Sequence, residues 1–335
     1  MSSTESSDTQ GLEKFSSHEI INELKARARD YTKQQKTGER KGIGLTSSKG
    51  ITSTRTGIKS HSTKALITTL KSKRKLIYGV DDRQDYYQLD NKKKEECDSI
   101  VSLWNSSDIQ ENGNGQSQLQ TTTFGNAYDL CEEEIFREQP VGAFCSGFLV
   151  DKDVIATAGH CVDEDNVTDV RFIFGYRMEG PNQAQTTINN SEIYRGKEII
   201  GRKLEDGNGS DWCLVRLDRP VTNHEFFDIR KSGKIENGQK VHVIGHPCGL
   251  PLKWAGGAWV RDNQNDPYFV ANLDTYGGNS GSCVIRDDKV EVEGILVRGD
   301  TDFIPLGNCS VSNVCPNTGC RGEDCTRTTE FAENL

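Results

Sequence analysis

The sequence lacks any apolar run approaching the roughly 18 residues that a membrane-spanning helix requires. Residues 1–8 also lack the apolar core of a signal peptide, and no internal repeat is evident along the chain. Aromatic residues make up only 7% of the sequence. These features argue against a helical membrane protein and a repeat protein, and no recognisable signal peptide is expected.

Short apolar runs and abundant glycine characterise the rest of the chain, which contains 33 glycines in 335 residues. The runs are of strand length and are separated by Gly, Asn and Asp, which is typical of an all-β sandwich or barrel. They occupy residues 146–150, 154–158, 170–174, 212–217, 241–245, 284–285 and 292–297. The Asn-, Gly-, Gln- and Ser-rich residues 105–127 are predicted to form a flexible loop.

Charge divides the chain into a basic leader and an acidic body. Residues 11–80 carry a net charge of +11, whereas residues 81–335 carry −18. Residues 1–75 are rich in Ser, Thr, Lys and Gly, so we predict a mostly disordered leader. It could be a solvated tail or an intramolecular pro-segment that the acidic body attracts and that is cut at the basic residues 71–75. A nucleic-acid arm is disfavoured because interleaved aromatic residues are missing.

Cysteine usage and the N-terminus give opposing indications of the compartment. Eleven cysteines, six of them between Cys248 and Cys325, are typical of an oxidising, extracytoplasmic or secreted location. The N-terminus, however, does not resemble a signal peptide. A zinc site is a minor alternative, because the spacings of its four cysteines are irregular. These are Cys309, Cys315, Cys320 and Cys325.

Three segments contain the residue types needed for nucleophilic catalysis. A serine hydroxyl needs a base within hydrogen-bond reach, and a histidine base needs a buried carboxylate to orient it. His160, Asp211 and Ser280 are the candidates for these roles and follow one another in that order. Asp206 and Asp218 are nearby rivals, but Asp206 lies in a Gly/Asn loop and Asp218 ends a strand. The segments are residues 157–161 (TAGHC), 210–217 (SDWCLVRL) and 277–282 (GGNSGS).

Taken together, these segments resemble those of trypsin/chymotrypsin-like serine peptidases over residues 130–335. The Gly-Gly-Asn-Ser-Gly-Ser motif is most similar to that of bacterial glutamyl endopeptidases and related secreted enzymes. The resemblance implies two packed antiparallel β-barrels within a peptidase domain of residues 76–335. The first barrel is expected at about 128–225 and the second at about 235–325. It also implies an endopeptidase acting on polypeptides through an acyl-enzyme, with no cofactor and no metal.

The same resemblance implies several individual roles. The backbone N–H groups of Gly278 and Ser280 would form the oxyanion hole, and Cys145 and Cys161 would form a disulfide beside the histidine. Asn279 departs from pancreatic trypsins, which have an aspartate before the nucleophile. A neutral amide cannot form their activating ion pair with a new N-terminus.

Two residue preferences are compatible with the expected specificity pocket. The resemblance to trypsins implies that Asp274, six residues before the nucleophile, lies at the base of the pocket, with Gly299 and Gly322 keeping the pocket open. A carboxylate there would favour cleavage after Arg or Lys. Thr275 matches a residue of the glutamyl enzymes, and Arg298 could receive an acidic side chain. Cleavage after Arg or Lys is the favoured prediction and glutamyl specificity the alternative. A catalytically inactive, peptidase-shaped binding module is the third possibility.

Overall fold

The computed structural model describes residues 82–205, 209–273, 275, 278–299, 303–312 and 321–335, together with Glu23, His61 and Leu66. The predictions for residues 1–75 therefore lie outside the described residues, apart from those three. The chain divides into two units. The larger comprises Asp82–Tyr128, Glu132–Asp302 and Cys320–Leu335, and the smaller comprises Met1–Asp81, Asp129–Cys131 and Phe303–Gly319.

Short antiparallel strands dominate the described residues, and the two α-helices are brief. In the described part of the chain, no helix has the length and apolar character needed to cross a membrane. Helix α1 spans Asn91–Cys97 and α2 spans Phe124–Ala127. The strands are β1 (Arg83–Asp85), β2 (Ile100–Asn105), β3 (Ile109–Glu111), β4 (Gln116–Leu119), β5 (Thr122–Thr123), β6 (Pro140–Val141), β7 (Cys145–Asp151), β8 (Val154–Thr157), β9 (Val170–Phe174), β10 (Met178–Gly180), β11 (Gln183–Ala184), β12 (Thr187–Asn189), β13 (Ile193–Leu204), β14 (Asp211–Leu217), β15 (Lys240–Gly245), β16 (Lys253–Asp262), β17 (Tyr268–Ala271), β18 (Cys283–Arg286), β19 (Val292–Arg298), β20 (Phe303–Leu306), β21 (Cys309–Ser312) and β22 (Glu323–Arg327).

The first barrel is closed by six strands in the order β13-β14-β8-β7-β2-β9. Its strands are apolar on the inner face, as in β9, where Val170 and Phe172 are buried and Arg171 between them is partly exposed. This alternation follows from the two-residue period of a strand. Strand β2 supplies a wall of this barrel from Ile100–Asn105, upstream of the range of about 128–225 expected for it.

The second barrel is formed by β16-β15-β18-β19-β22-β17, and pairing of β16 with β17 closes it. Strand β1 adds to its edge through β16, with Asp85 opposite Lys253. The predicted all-β architecture of two antiparallel barrels is confirmed. The predicted strand at residues 170–174 matches β9 in both bounds.

An apolar core joins the two barrels inside the larger unit. Its largest buried cluster includes Phe148, Phe172 and Leu214 from the first barrel together with Ile244 and Ile295 from the second. A separate cluster fills the interior of the second barrel. Shared burial of this kind holds the facing loops of the barrels in fixed positions, because close-packed side chains tolerate little rearrangement.

Residues 105–127 are not the flexible loop that their composition predicts. They contain β3, β4, β5 and α2, and β3, β4 and β12 form a small sheet. Polar side chains stabilise this sheet by cross-strand hydrogen bonds, for example from the Thr187 hydroxyl to Gln118 Oε1 at 2.9 Å. Composition alone cannot reveal such pairing, because the partner strand lies some 70 residues away in sequence.

The smaller unit contains the hairpin of β20 and β21 and a bridge between Leu130 and Ser310. A disulfide between Cys131 and Cys309 closes it. The zinc alternative is therefore wrong for Cys309, because a disulfide sulfur is not available as a thiolate ligand. Cys315 and Cys320 lie outside the described residues.

Candidate active site

His160 lies in the short segment that follows β8, close to the start of β14. Gly159 allows this approach, since a Cβ there would lie 2.5 Å from the carbonyl oxygen of Lys203 and 2.9 Å from that of Trp212. A disulfide between Cys161 and Cys145 ties the segment to β7. The pairing that the resemblance implies is thus formed. The His160 side chain remains 38% exposed, so its ring faces solvent beside a fixed backbone.

Asp211 is the first residue of β14 and is almost fully buried. Its Oδ2 lies 2.8 Å from His160 Nδ1, and its Oδ1 accepts a hydrogen bond of 3.2 Å from the His160 backbone N–H. Its own N–H donates to the Thr326 hydroxyl at 3.3 Å. Because a carboxylate only accepts, Nδ1 carries the ring proton and Nε2 presents a lone pair.

The two rival aspartates do not share this environment. Asp218 directly follows β14 and accepts hydrogen bonds from the Arg195 backbone and the Arg219 side chain. Asp206 lies outside the described residues. Of the two described carboxylates, Asp211 is the one that the structure brings to His160.

Ser280 lies in the loop between β17 and β18, on the second barrel. Its carbonyl oxygen accepts a hydrogen bond of 2.9 Å from the Ser146 N–H and lies 3.9 Å from Cys161 Sγ. A ring nitrogen of His160 and the sulfurs of Cys145 and Cys161 lie within 4.8 Å of one another. Ser280 therefore sits beside the disulfide that also borders His160. Among the described contacts, no hydrogen bond joins the Ser280 hydroxyl to His160. Such bonds are commonly long before substrate binds.

Two glycines with positive φ shape the loop around Ser280: Gly278 with φ of 82° and Gly281 with φ of 90°. A Cβ on Gly281 would lie only 1.9 Å from the carbonyl oxygen of Ser146, so no other residue fits there without movement. The buried Asn279 holds the loop from inside, since its Oδ1 accepts a 2.9 Å hydrogen bond from the Ser282 hydroxyl. The loop is thus fixed by close backbone packing and by a neutral amide.

The backbone N–H groups of Gly278 and Ser280 donate no hydrogen bond within the described part of the chain. Gly278 packs directly on the turn Pro247–Gly249, because a Cβ on it would lie 2.9 Å from the Cys248 nitrogen. Two unused backbone donors next to a serine hydroxyl are the feature that an oxyanion hole requires.

The residues expected around the specificity pocket are only partly described. Asp274 lies outside the described residues, and Thr275 is half-buried. Gly299 is exposed at the end of β19, and both carboxylate oxygens of Glu323 lie against it, at 1.9 and 2.7 Å from the position of a Cβ. Gly322 has a φ of 90° and packs on Val270.

The Arg298 side chain points towards the buried carboxylates of Asp324 and Asp211. Its Nε donates to Asp324 Oδ2 at 3.2 Å, and its Nη2 donates to the carbonyl oxygen of Gly209 at 2.7 Å. Its Nη1 lies 3.8 Å from Asp211 Oδ2. The guanidinium therefore has its own acidic partners within the protein.

Comparisons with known proteins agree with this geometry. Residues 145–295, which include His160, Asp211 and Ser280, match the family described as trypsin-like peptidase domain. Over residues 145–295 the chain is therefore similar to trypsin-like peptidases. The chain is 25% identical over 151 residues to the glutamyl endopeptidase of Bacillus licheniformis, covering 43% of this chain and 46% of that enzyme. It is 24% identical over 216 residues to a trypsin-like protease of Streptomyces glaucescens, covering 57% of this chain and 73% of that protein.

Among solved structures, human heparin binding protein aligns with a TM-score of 0.47 and 12% identity. The alignment covers 71% of this chain and 90% of that chain. The match to the Bacillus enzyme spans about half of that enzyme's length.

The peptidase domain offers no metal site at its histidine. The described residues bring three metal-binding side chains together at Cys145, His160 and Cys161. Both cysteines are consumed by their disulfide, so neither can supply a thiolate. The donor set does not fit a metal ion.

Several contacts of the peptidase domain could not be found by sequence reasoning. Thr326 reaches the Asp211 N–H from 115 residues away, and Arg298 approaches the same aspartate from another strand. Glu323 directly follows the expected pocket residue Gly322 in sequence. This adjacency is the one local signal that could have suggested that Glu323 lies near the pocket. The other contacts depend on the closure of the second barrel.

Proposed function

We propose that this chain is a serine endopeptidase in which Ser280 is the nucleophile, His160 the general base and Asp211 the orienting carboxylate. The observation that carries the proposal is the double engagement of His160 by Asp211, at the ring and at the backbone. This engagement fixes the tautomer in which Nε2 can accept a proton. The loop that carries Ser280 lies close to the same histidine and supplies the nucleophile.

The proposed reaction proceeds by acyl transfer. Ser280 Oγ attacks the carbonyl carbon of the scissile bond while its proton passes to His160 Nε2. The N–H groups of Gly278 and Ser280 bind the oxyanion of the tetrahedral intermediate. The C–N bond then breaks and the imidazolium returns the proton to the leaving amine. Water next attacks the acyl-enzyme carbonyl as His160 Nε2 takes its proton, and the bond to Ser280 Oγ breaks as the imidazolium returns that proton to the serine.

We propose a preference for cleavage after Arg or Lys. The carboxylate of Glu323 against Gly299 supports it, because a negative group there attracts a basic side chain. Asp274 is proposed as the second carboxylate on sequence grounds. The engagement of Arg298 by Asp324 and the Gly209 carbonyl weighs against glutamyl specificity, since this cation already has acidic partners. The name of the Bacillus relative keeps glutamyl specificity as the alternative.

Residues 1–75 are proposed to be a pro-segment that is removed by cleavage in the basic run at residues 71–75. The net charge of +11 over residues 11–80 supports initial attraction to the acidic body. Strand β1 begins at Arg83, beyond this run, so the cut leaves the second barrel intact. An extracytoplasmic location is proposed with it, and the two disulfides support that location.

Labelling by a fluorophosphonate tests the nucleophile directly. The wild-type chain should be labelled at Ser280, and Ser280→Ala should abolish labelling while leaving the circular dichroism spectrum unchanged. A folded wild-type chain that resists labelling and cleaves no peptide would instead identify an inactive binding module. A peptide-library digest read by mass spectrometry reports the residue preference. N-terminal sequencing of the natural protein tests the pro-segment, and a fully active chain beginning at residue 1 or 2 would disprove it.

A further inference from the structure

A cavity with a volume of 360 Å³ lies in the larger unit where the end of α1, the end of β9 and the turn after β15 meet. None of its lining residues belongs to the proposed triad. Its volume is at the lower end of the range of small-molecule sites, so its occupant must be small. Its polar lining includes Asp98, Arg177, Glu179, Glu192, His224 and His246.

His246 lines this cavity, and its ring contains a hydrogen-bond acceptor that has no partner among the described residues. The side chain is buried, and its ring stacks on that of Tyr176, with centroids 5.6 Å apart. Nδ1 lies 3.0 Å from the carbonyl oxygen of Leu250, so Nδ1 carries the proton. Nε2 is buried and has no hydrogen-bond partner among the described residues. Because Nδ1 is taken by the main chain, Nε2 is the polar atom that this ring can offer to a ligand.

The protonation state of His246 restricts what Nε2 can bind. Burial lowers its pKa to about 3, so the ring is neutral and Nε2 only accepts. Carboxylates and fully ionised phosphates have no proton to donate to it. A ligand that satisfies this nitrogen therefore carries an N–H or O–H group.

The charges around the cavity favour a cationic donor. Arg177 pairs with Glu179 at 2.7 Å, whereas His224 lies between Asp98 at 3.0 Å and Glu192 at 2.7 Å. Three carboxylates thus face two cations, which leaves one negative charge in excess. Lys253, which is close enough to influence His246, is neutralised by Asp85 at 2.7 Å.

A metal ion does not satisfy the same groups. The cavity side chains do not form one of the clusters in which three metal-binding atoms converge, and the described residues form such a cluster only beside His160. A cation held here must therefore bring its own hydrogen-bond donors. We propose that this cavity binds a small organic cation, a primary amine or a guanidinium, through a hydrogen bond to His246 Nε2. This site does not depend on the proposed peptidase function.

Nitrogen NMR of the full chain labelled with ¹⁵N-histidine tests the proposal at the atom concerned. Titration with ethylamine or methylguanidine hydrochloride should shift the His246 Nε2 signal to saturation. His242 is the internal control, because each nitrogen of this second buried histidine already lies beside a carboxylate, Asp287 at 2.9 Å and Glu96 at 3.2 Å. Sodium acetate at equal ionic strength should leave His246 unchanged. The measured signal comes from a nitrogen of the cavity itself, so an amine that binds near Gly299 does not shift it.

Two variants separate binding from a change of fold. His246→Phe keeps an aromatic ring but removes the acceptor, and it should weaken amine binding by about tenfold or more, measured by calorimetry. Glu192→Gln removes the excess negative charge at the rim and should weaken binding without altering the His246 ring. Failure of both probes to shift His246 Nε2 would overturn the proposal and indicate that water alone occupies the cavity. Equal shifts with acetate would also overturn it.

Discussion

His160 and Asp211 are joined twice, once through the ring at 2.8 Å and once through the backbone N–H of the histidine at 3.2 Å. The two contacts use different oxygens of one buried carboxylate. The orientation of the imidazole is therefore fixed relative to its own main chain. Rotation of the aspartate would break both bonds together, which makes this pair a rigid base for proton transfer.

Asp211→Asn should lower kcat for peptide hydrolysis by about four orders of magnitude. The asparagine amide group can donate to Nδ1, which forces the ring proton onto Nε2. A protonated Nε2 can no longer accept the proton of Ser280. Steady-state kinetics on a peptide amide measure the effect. Asp218→Asn is the matched control, because that aspartate lies after the same strand, and it should retain activity within a few-fold. A larger loss in the control would point to the wrong carboxylate.

Gly281→Ala should destabilise the chain by several kcal/mol, since its positive φ and the Ser146 carbonyl at 1.9 Å both oppose a side chain. Gly233→Ala provides the comparison. Gly233 has a φ of 73° but nothing within 4 Å of the Cβ position, so it should cost only about 1 kcal/mol. Urea denaturation measures both free energies of unfolding. Equal losses in the two variants would mean that the nucleophile loop is not tightly packed.

The stability that His224 contributes should decrease as the pH rises from about 6.5 to about 9. Burial lowers the pKa of this histidine, but its contacts with Asp98 and Glu192 outweigh burial and raise the pKa to about 9. The folded state therefore binds the proton more tightly than the unfolded state. This contribution is complete below the unfolded pKa of about 6.5 and disappears above the folded value.

His224→Gln tests this pH dependence. The difference in the free energy of unfolding between the wild type and this variant should shrink by on the order of 2 kcal/mol between pH 6.5 and pH 9. Denaturant titrations across that range provide the measurement. A difference that stays constant with pH would show that His224 is not charged in the folded protein.

Glu323→Gln should reduce kcat/KM for substrates with Arg or Lys before the scissile bond by about tenfold or more, and leave uncharged substrates nearly unchanged. Asp274→Ser should act in the same direction. The amide of Gln keeps the shape of Glu at Gly299, so the comparison isolates charge. If the wild type cuts mainly after Glu, the pocket assignment fails, and Thr275 with Arg298 becomes the better account.

Sequence reasoning was most successful where the features that determine the structure are close together in sequence. The strand-length apolar runs of β9, β14 and β19 were sufficient to predict the all-β class. The resemblance of three short motifs then implied the two barrels and the Cys145–Cys161 disulfide, both of which are formed.

The remaining contacts depend on distant partners. Strand β4 is polar, and its pairing becomes apparent only when β12 is placed beside it. The approach of Thr326 and Arg298 to Asp211 requires β14, β19 and β22 to be in position. No pattern within a window of ten residues encodes these distances.

Strand β1 has a consequence for the order in which the chain can fold during synthesis. Asp85 is paired with Lys253, which is made much later. At a synthesis rate of roughly 5–20 residues per second, β1 waits on the order of ten seconds or more for its partner. Throughout that interval the first segment of the peptidase body has emerged from the ribosome with an unsatisfied strand edge.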